Sequence, residues 1–190
     1  MRIELTCESG KVTNIKGMNI EIKAKCVQHD EIRKKILSFD DAIFKGTDHQ
    51  IDTYFNVNFG RLKLREGDIE NYLVFYEREN ISGPKQSNII LYEQLDKSPR
   101  SILKEILTRS LGKLVEVDKK RDIFFIENVK FHLDTVKDLG TFVEIEATDN
   151  DGSIGKTKLL EQCNYYLNLF GINEKDLLAD SYSDMIKRCK

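Results

Sequence analysis

The tightest constraint in this chain is a two-residue alternation that recurs in segment after segment, with one face apolar and the other charged. Asn19-Ile20-Glu21-Ile22-Lys23-Ala24-Lys25 puts polar groups at odd positions and apolar or small ones at even positions. Gly60-Arg61-Leu62-Lys63-Leu64-Arg65 repeats the rule with three cations on one side. Asn71 to Arg78 is aromatic-rich and ends in Arg78, and Ser87 to Glu93 follows the same habit. Val117 to Glu127 aligns Lys119 with Arg121; Val129 to Val136 sets Lys130, His132 and Asp134 against Phe131 and Leu133. Phe142 to Thr148 sets Glu144 and Glu146 against Val143, Ile145 and Ala147. Successive strand side chains point to opposite faces, so this period reads as β-structure.

Helical spacing fills the gaps. Ser98-Pro99 predicts a helix start, and Ile102, Leu103, Ile106, Leu107 and Leu111 form a stripe that stops at Gly112. Further stripes run over residues 30 to 39 and from Lys156 to Phe170, closed by Gly171. Asn173 is expected to cap a last helix whose buried side carries Leu177, Leu178, Tyr182, Met185 and Ile186. Strands outnumber helices and short turns join many of them, so the fold class is α+β with a mainly antiparallel sheet. With 190 residues, two prolines and no Pro/Ser-rich linker, one domain is expected over residues 18 to 190. Residues 1 to 17 read as an N-terminal extension or an extra strand.

Thirty Lys+Arg against 32 Asp+Glu give a net charge of −2, which argues against bulk electrostatic binding of nucleic acid. No apolar run is long enough to cross a bilayer as a helix, and the start lacks a signal-peptide pattern. Cys7, Cys26, Cys163 and Cys189 stand far apart without a C-x-x-C pair, as reduced thiols of a cytoplasmic protein would. His29, His49 and His132 show no metal-ligand spacing.

An open sheet with one wet face would explain the alternation alone. The charges, however, are sorted by sign. Arg61, Lys63 and Arg65 share one strand face, Lys119 and Arg121 another, and Glu144 and Glu146 a third. Like charges two residues apart repel, and more strongly where water is scarce. If helices cover the apolar faces of a curled sheet, the charged faces converge on a site for a multiply charged anion and a divalent metal. Hard oxygen ligands such as Glu21, Glu144 and Glu146 suit Mg²⁺ or Mn²⁺, and phosphoanhydride chemistry uses that combination of cations and metal.

One motif competes. Gly152-Ser153-Ile154-Gly155-Lys156-Thr157 follows a strand and opens a helix, as a P-loop does, but Asn150 stands where the first glycine belongs. The preceding strand alternates Glu144 and Glu146, unlike the apolar strands of parallel sheets. A loop leading into a helix is the better reading.

Taken in order, Asn19-Ile20-Glu21-Ile22-Lys23, Asp52-Thr53-Tyr54-Phe55, Gly60 to Arg65, Tyr76-Glu77-Arg78, Gly83-Pro84-Lys85-Gln86-Ser87, Lys119-Lys120-Arg121, His132-Leu133-Asp134 and Leu139 to Glu146 resemble the CYTH domain of triphosphate tunnel metalloenzymes, over Met18 to about Lys187. The branch they most resemble is the class IV adenylate cyclase-like one, with thiamine triphosphatases as relatives. The resemblance implies an eight-stranded antiparallel closed β-barrel, helices packed outside, with a lumen that binds a triphosphate. It implies that Lys23, Lys63, Arg65, Arg78, Lys119 and Arg121 hold phosphates, with Lys85 and Arg61 as further members. It also implies that Glu21, Glu144 and Glu146 carry Mg²⁺ or Mn²⁺, that Asp134 supports the metal or orients water, and that Lys23, Arg121 and Asp134 take part in catalysis. The family pattern E-x-E-x-K departs here at Asn19, which removes one carboxylate and bears on the number of metal positions.

Three activities fit such a site. A cyclase would convert ATP to cyclic AMP and pyrophosphate; a triphosphatase would hydrolyse tripolyphosphate, thiamine triphosphate or a nucleoside triphosphate. A non-catalytic polyphosphate binder would have no use for the carboxylates. The expected partner is therefore a nucleoside triphosphate or another triphosphate compound, with no nucleic acid or membrane, and the protein a monomer or homodimer.

Overall fold

The computed structural model describes residues 18–93 and 102–189; the expected N-terminal extension and the Ser98-Pro99 helix start lie outside these. Eight strands, β1 (Met18–Lys25), β2 (Ile43–Phe55), β3 (Arg61–Gly67), β4 (Tyr72–Arg78), β5 (Lys85–Glu93), β6 (Lys113–Ile126), β7 (Val129–Val136) and β8 (Gly140–Asp149), close into an antiparallel barrel in the order β1-β5-β4-β3-β2-β6-β7-β8. Closure comes from β1, which pairs with β8 on one side (Glu21 opposite Glu146, Lys23 opposite Glu144) and with β5 on the other (Asn19 opposite Ser87).

The helices are α1 (His29–Ile36), α2 (Ile102–Leu111), α3 (Lys156–Phe170) and α4 (Tyr182–Arg188). The outward residues of β1, β7 and β8, such as Ile20, Ile22, Phe131 and Ile145, pack on Ile32 and Ile36 of α1 and on Leu159, Cys163, Tyr166 and Phe170 of α3. Burying this apolar layer outside the barrel leaves the alternate, charged residues no choice but to face inward.

The structure differs from the expectation at three elements. β2 is a thirteen-residue strand where the alternation predicts none; Asp52 to Phe55 enter the sequence reading only as a family motif. Residues 174–176 form only a 3₁₀ turn, and Asn173 makes no capping bond. The chain then runs extended, with Leu178 N–H donating to the Lys23 carbonyl, before Ser181 and Asp184 cap α4 reciprocally. Finally, α2 buries none of its residues, and Ile102 and Ile106 are exposed.

Candidate functional site

Inside the barrel lies a cavity of about 150 Å³. Its wall carries seven cations (Lys23, Lys63, Arg65, Arg78, Lys119, Arg121, Lys130) against five carboxylates (Glu21, Asp52, Glu70, Glu144, Glu146). The chain as a whole is net negative, whereas the cavity has two positive charges to spare.

Two carboxylate-centred knots hold these cations. Asp52, on β2, accepts from Lys63 (3.0 Å), Lys119 (2.7 Å) and twice from Arg65 (2.9 and 3.1 Å). Burial alone would raise the Asp52 carboxyl, but Arg65, Lys119 and Lys63 hold it well below the usual carboxylate range. Burial also pulls Lys119 down to about 7, against the pull of Asp52 and with the help of Arg65, Arg121 and Lys63. On the other side, Glu144 of β8 pairs with Lys23 (2.7 Å) and Arg121 (2.8 Å) and bonds His132 Nδ1 (3.0 Å). Burial opposes ionisation of Glu144, and the charges of Arg121 and Lys23 overcome it. Burial, Arg121 and Lys130 push His132 down to about 4, so its ring is neutral at pH 7.

Glu70 sits in the β3–β4 turn, where it meets Arg65 (3.0 Å) and Lys130 (2.7 Å). Buried Asp48 shapes that turn by accepting from the N–H groups of Ile69 and Glu70. A Cβ on Gly67 would come within 2.8 Å of the same carboxylate, so only glycine allows the approach. At the other limit, Ser181 and Tyr182 line the cavity without belonging to any strand. Tyr182 donates to Asp134 (2.8 Å) and stacks its ring 3.5 Å from Lys23 Nζ.

Nine of the twelve residues expected from sequence stand on the cavity wall: Glu21, Lys23, Lys63, Arg65, Arg78, Lys119, Arg121, Glu144 and Glu146. Three do not. Asp134 is fully buried behind Arg121, whose Nε and Nη2 donate to its two oxygens at 2.7 and 2.5 Å, so it orients that guanidinium and is kept off the lumen wall. Lys85 is turned into backbone, donating to the carbonyls of Leu178 (2.7 Å) and Ala179 (3.3 Å). Arg61 binds Asp184 and Asn80, both at 2.9 Å, beside the α4 cap. The charged, histidine and tyrosine wall residues missing from the expected set are Asp52, Glu70, Lys130, His132, Tyr54, Tyr72, Tyr76 and Tyr182. Lys130 and His132 share the inward parity of Asp134 and could have been added on that ground; Glu70 and Tyr182 lie outside any strand and carry no periodic signal.

The carboxylates fit a divalent metal of the Mg²⁺ type. Glu21 and Glu146 face each other across the β1–β8 pair, where directly opposed like charges are unfavourable unless a cation sits between them. Glu21 pairs with Arg78, and Glu146 accepts from the Asn19 amide. Among the described residues no three acidic, His or Cys side chains form a ready cage. Mg²⁺ is commonly held by one or two carboxylates together with substrate phosphate oxygens, which is the part Glu21 and Glu146, with Glu144 next to them, are able to play.

Comparison with known proteins agrees with this architecture. The CYTH domain family model matches residues 17–182. The chain belongs to the CYTH family, whose members are triphosphate tunnel metalloenzymes acting as adenylate cyclases or triphosphatases. It is 25% identical to a Methanocaldococcus jannaschii protein named "putative adenylate cyclase", in an alignment covering 88% of this chain and 98% of that one. Similar folds include a conserved hypothetical protein of Pyrococcus furiosus (TM-score 0.71, 21% identity, 87% of this chain and 98% of that one). A Vibrio parahaemolyticus protein described as a "putative adenylate cyclase" superposes with TM-score 0.62 at 20% identity, covering 90% and 98%.

Proposed function

We propose that this protein is a divalent-metal-dependent enzyme that binds a triphosphate in the barrel lumen and converts ATP to cyclic AMP and pyrophosphate. The observation that carries the reading is the convergence of seven cations and five carboxylates on one enclosed cavity. A triphosphate chain carries roughly four negative charges near neutral pH. The cavity's surplus of two positive charges and one divalent cation would balance it. The name of the Methanocaldococcus relative supports the cyclase over other triphosphate chemistry.

In this reaction the ribose 3′-oxygen bonds to the α-phosphorus as its proton passes to a water molecule. The bridging oxygen to the β-phosphorus takes the electron pair and departs with pyrophosphate. Lys63, Arg65 and Lys119 exchange Asp52 for phosphate oxygens, while Arg121 and Lys23 neutralise charge at the reacting phosphoryl group. Asp134 keeps Arg121 in the required plane as a positioning residue. Glu21, Glu144 and Glu146 would hold Mg²⁺ or Mn²⁺, which when bound supplies Lewis-acid polarisation of phosphoryl oxygens.

A second reading is hydrolysis of tripolyphosphate, thiamine triphosphate or a nucleoside triphosphate, which the same cations and carboxylates of the lumen would serve. The deciding experiment incubates the protein with ATP, thiamine triphosphate and tripolyphosphate, each with Mg²⁺ or Mn²⁺, and identifies the products. Cyclic AMP and pyrophosphate are expected from ATP; orthophosphate would establish hydrolysis, and no product would leave a polyphosphate binder.

A further inference from the structure

Lys23 and Arg121, the two cations assigned to the reacting phosphoryl group, stand on β1 and β6, which are not neighbours in the barrel. Glu144 bridges them at 2.7 and 2.8 Å, but an incoming phosphate competes with that carboxylate for both. A second link comes from outside the strands. β5 begins at Lys85, opposite Glu21, so the β1 edge beyond Glu21 has no β5 partner. Residues 177 to 180 take that edge. Leu177 bridges Ala24, and the Leu178 N–H donates to the Lys23 carbonyl at 2.9 Å. Lys85 ties the same stretch to β5 through the carbonyls of Leu178 and Ala179. This course delivers Tyr182, 5% exposed, to the cavity wall. There its ring centroid lies 3.5 Å from Lys23 Nζ. Its hydroxyl donates at 2.8 Å to Asp134 Oδ2, the oxygen that accepts from Arg121 Nη2. Burial and the charges of Asp134 and Glu144 raise the Tyr182 phenol well above its ordinary range, so the hydroxyl stays protonated and remains a donor. Packing alone would not need it: Phe142, with its ring 4.9 Å away, would seat a phenylalanine equally well.

We propose that Tyr182 is a positioning residue for phosphoryl transfer: its ring holds Lys23 and its hydroxyl, through Asp134, holds Arg121, so that both cations meet one phosphoryl group together. The inference rests on the reading that a triphosphate reacts in the lumen. A lysine ammonium is a point charge on a flexible stem, with three donors free to turn. An aromatic face attracts that charge without competing for its protons, which leaves the donors to Glu144 or to a phosphate oxygen. The phenol is neutral, so a phosphate that displaces Glu144 leaves the link through Tyr182 intact. Catalysis depends on cations fixed where charge develops, and small displacements are costly there. Anchoring of the rest of the anion depends on other groups, since Lys63, Arg65 and Lys119 are gathered by Asp52 and not by Tyr182. Loss of the Tyr182 contacts should therefore fall on kcat and spare affinity.

The test compares wild type with Tyr182→Phe and Tyr182→Leu by three measurements. These are turnover of ATP and tripolyphosphate with Mg²⁺ or Mn²⁺, tripolyphosphate affinity by calorimetry, and the NMR shift of the Lys23 ε-methylene, which the ring shields. Tyr182→Phe keeps the ring and loses the hydroxyl. Its kcat should fall about tenfold, the size of one hydrogen bond, while the Lys23 signal stays in its shielded position. Tyr182→Leu loses both contacts; its kcat should fall about a hundredfold, and the Lys23 signal should return to that of an ordinary lysine. In both variants KM and tripolyphosphate affinity should stay within about threefold of wild type, given the cations that Asp52 gathers. If Tyr182→Leu fails to fold, Tyr182→Phe decides. Wild-type kcat in Tyr182→Phe, a loss confined to KM, or a deficit that vanishes on cooling to where the variant is fully folded would reduce Tyr182 to a packing residue and leave the lumen reading standing. If wild type turns over none of the triphosphates, the reading of the lumen as a reaction site fails, and this inference falls with it.

Discussion

Arg121 is clamped by two oxygens of Asp134 and by Glu144 while one face stays on the cavity wall. Its removal takes away charge where a phosphoryl transition state would form, so Arg121→Ala should lower turnover about a hundredfold or more. The same change strands Asp134 without its counter-ion, at a cost of roughly 3–5 kcal/mol of stability. Pairing it with Asp134→Ala should recover much of the melting temperature but none of the rate; a rate that returned with stability would make Arg121 merely structural. Lys119 gives a pH signature. Burial holds it near 7 in the folded protein, against an ordinary value of 10.5. Between those limits the unfolded chain holds a proton that the folded chain lacks, so the stability of the ligand-free protein should rise as pH climbs from about 7 to 10. Lys85, also lowered to about 7, chiefly by burial, acts in the same direction. A bound polyanion favours the charged lysine, so tripolyphosphate binding at pH 8 should take up protons. Calorimetry in two buffers of different ionisation enthalpy measures this, and zero uptake would place Lys119 away from the anion. Asp52, the group that holds Lys119 meanwhile, was visible in the sequence only as part of a motif. Its role depends on β3 and β6 flanking β2, a pairing that no local pattern displays.

Elements differ in how openly the sequence declares them. β1, β7 and β8 alternate cleanly because each has a helix-covered outer face and a charged lumen face, and β3 does so with Leu64 buried opposite its cations. β2 does not, since Ile43 and Phe44 at its start are exposed while Asp48, Gln50 and Asp52 are buried, inverting the usual relation of polarity and burial. The expected cap of the last helix, Asn173, lies eight residues before the observed one, Ser181, because Leu177 and Leu178 mimic a helical stripe while actually lying extended against β1. The true start is Ser181, whose hydroxyl accepts from the N–H of Asp184 while that carboxylate accepts from the N–H of Ser181. Ser181→Ala should cost about 1 kcal/mol, and the loss should be local. Amide exchange along α4 is expected to quicken roughly fivefold while that of the barrel strands is unchanged; uniform acceleration would mean that α4 does not open separately. The glycine-rich turn before α3 makes the opposite forecast. Asp149 accepts from the N–H groups of Gly152, Ile154 and Gly155, so a carboxylate already fills the position that a phosphate takes in a P-loop. Lys156→Ala should therefore leave nucleotide affinity within twofold, and a larger loss would revive the discarded motif.

At the scale of the whole molecule, what could be read in advance was the partition, with helices taking the apolar faces and charge turning inward; closure of the sheet came through family resemblance, because an alternating strand looks the same in an open sheet and in a barrel. Closure is nevertheless what gives the charges their effect. Seven cations on an open sheet would be hydrated and screened, whereas in an enclosed lumen their repulsion persists and works against folding until an anion arrives. Ligand binding and stability should then be coupled more strongly than in a protein whose site is a surface cleft. Tripolyphosphate at about a hundred times its dissociation constant stabilises by roughly 2.7 kcal/mol, which for a chain of this length raises the melting temperature by roughly 5–10 °C. Lys119→Met should separate the two sides of that coupling. It removes a poorly hydrated charge while Asp52 keeps Lys63 and Arg65, so the ligand-free melting temperature should hold or rise. The tripolyphosphate-induced shift should shrink to a small fraction of the wild-type value. A variant that melted lower without ligand, yet gained the full shift with it, would show that Lys119 serves the fold and that the lumen's surplus charge is not what receives the anion.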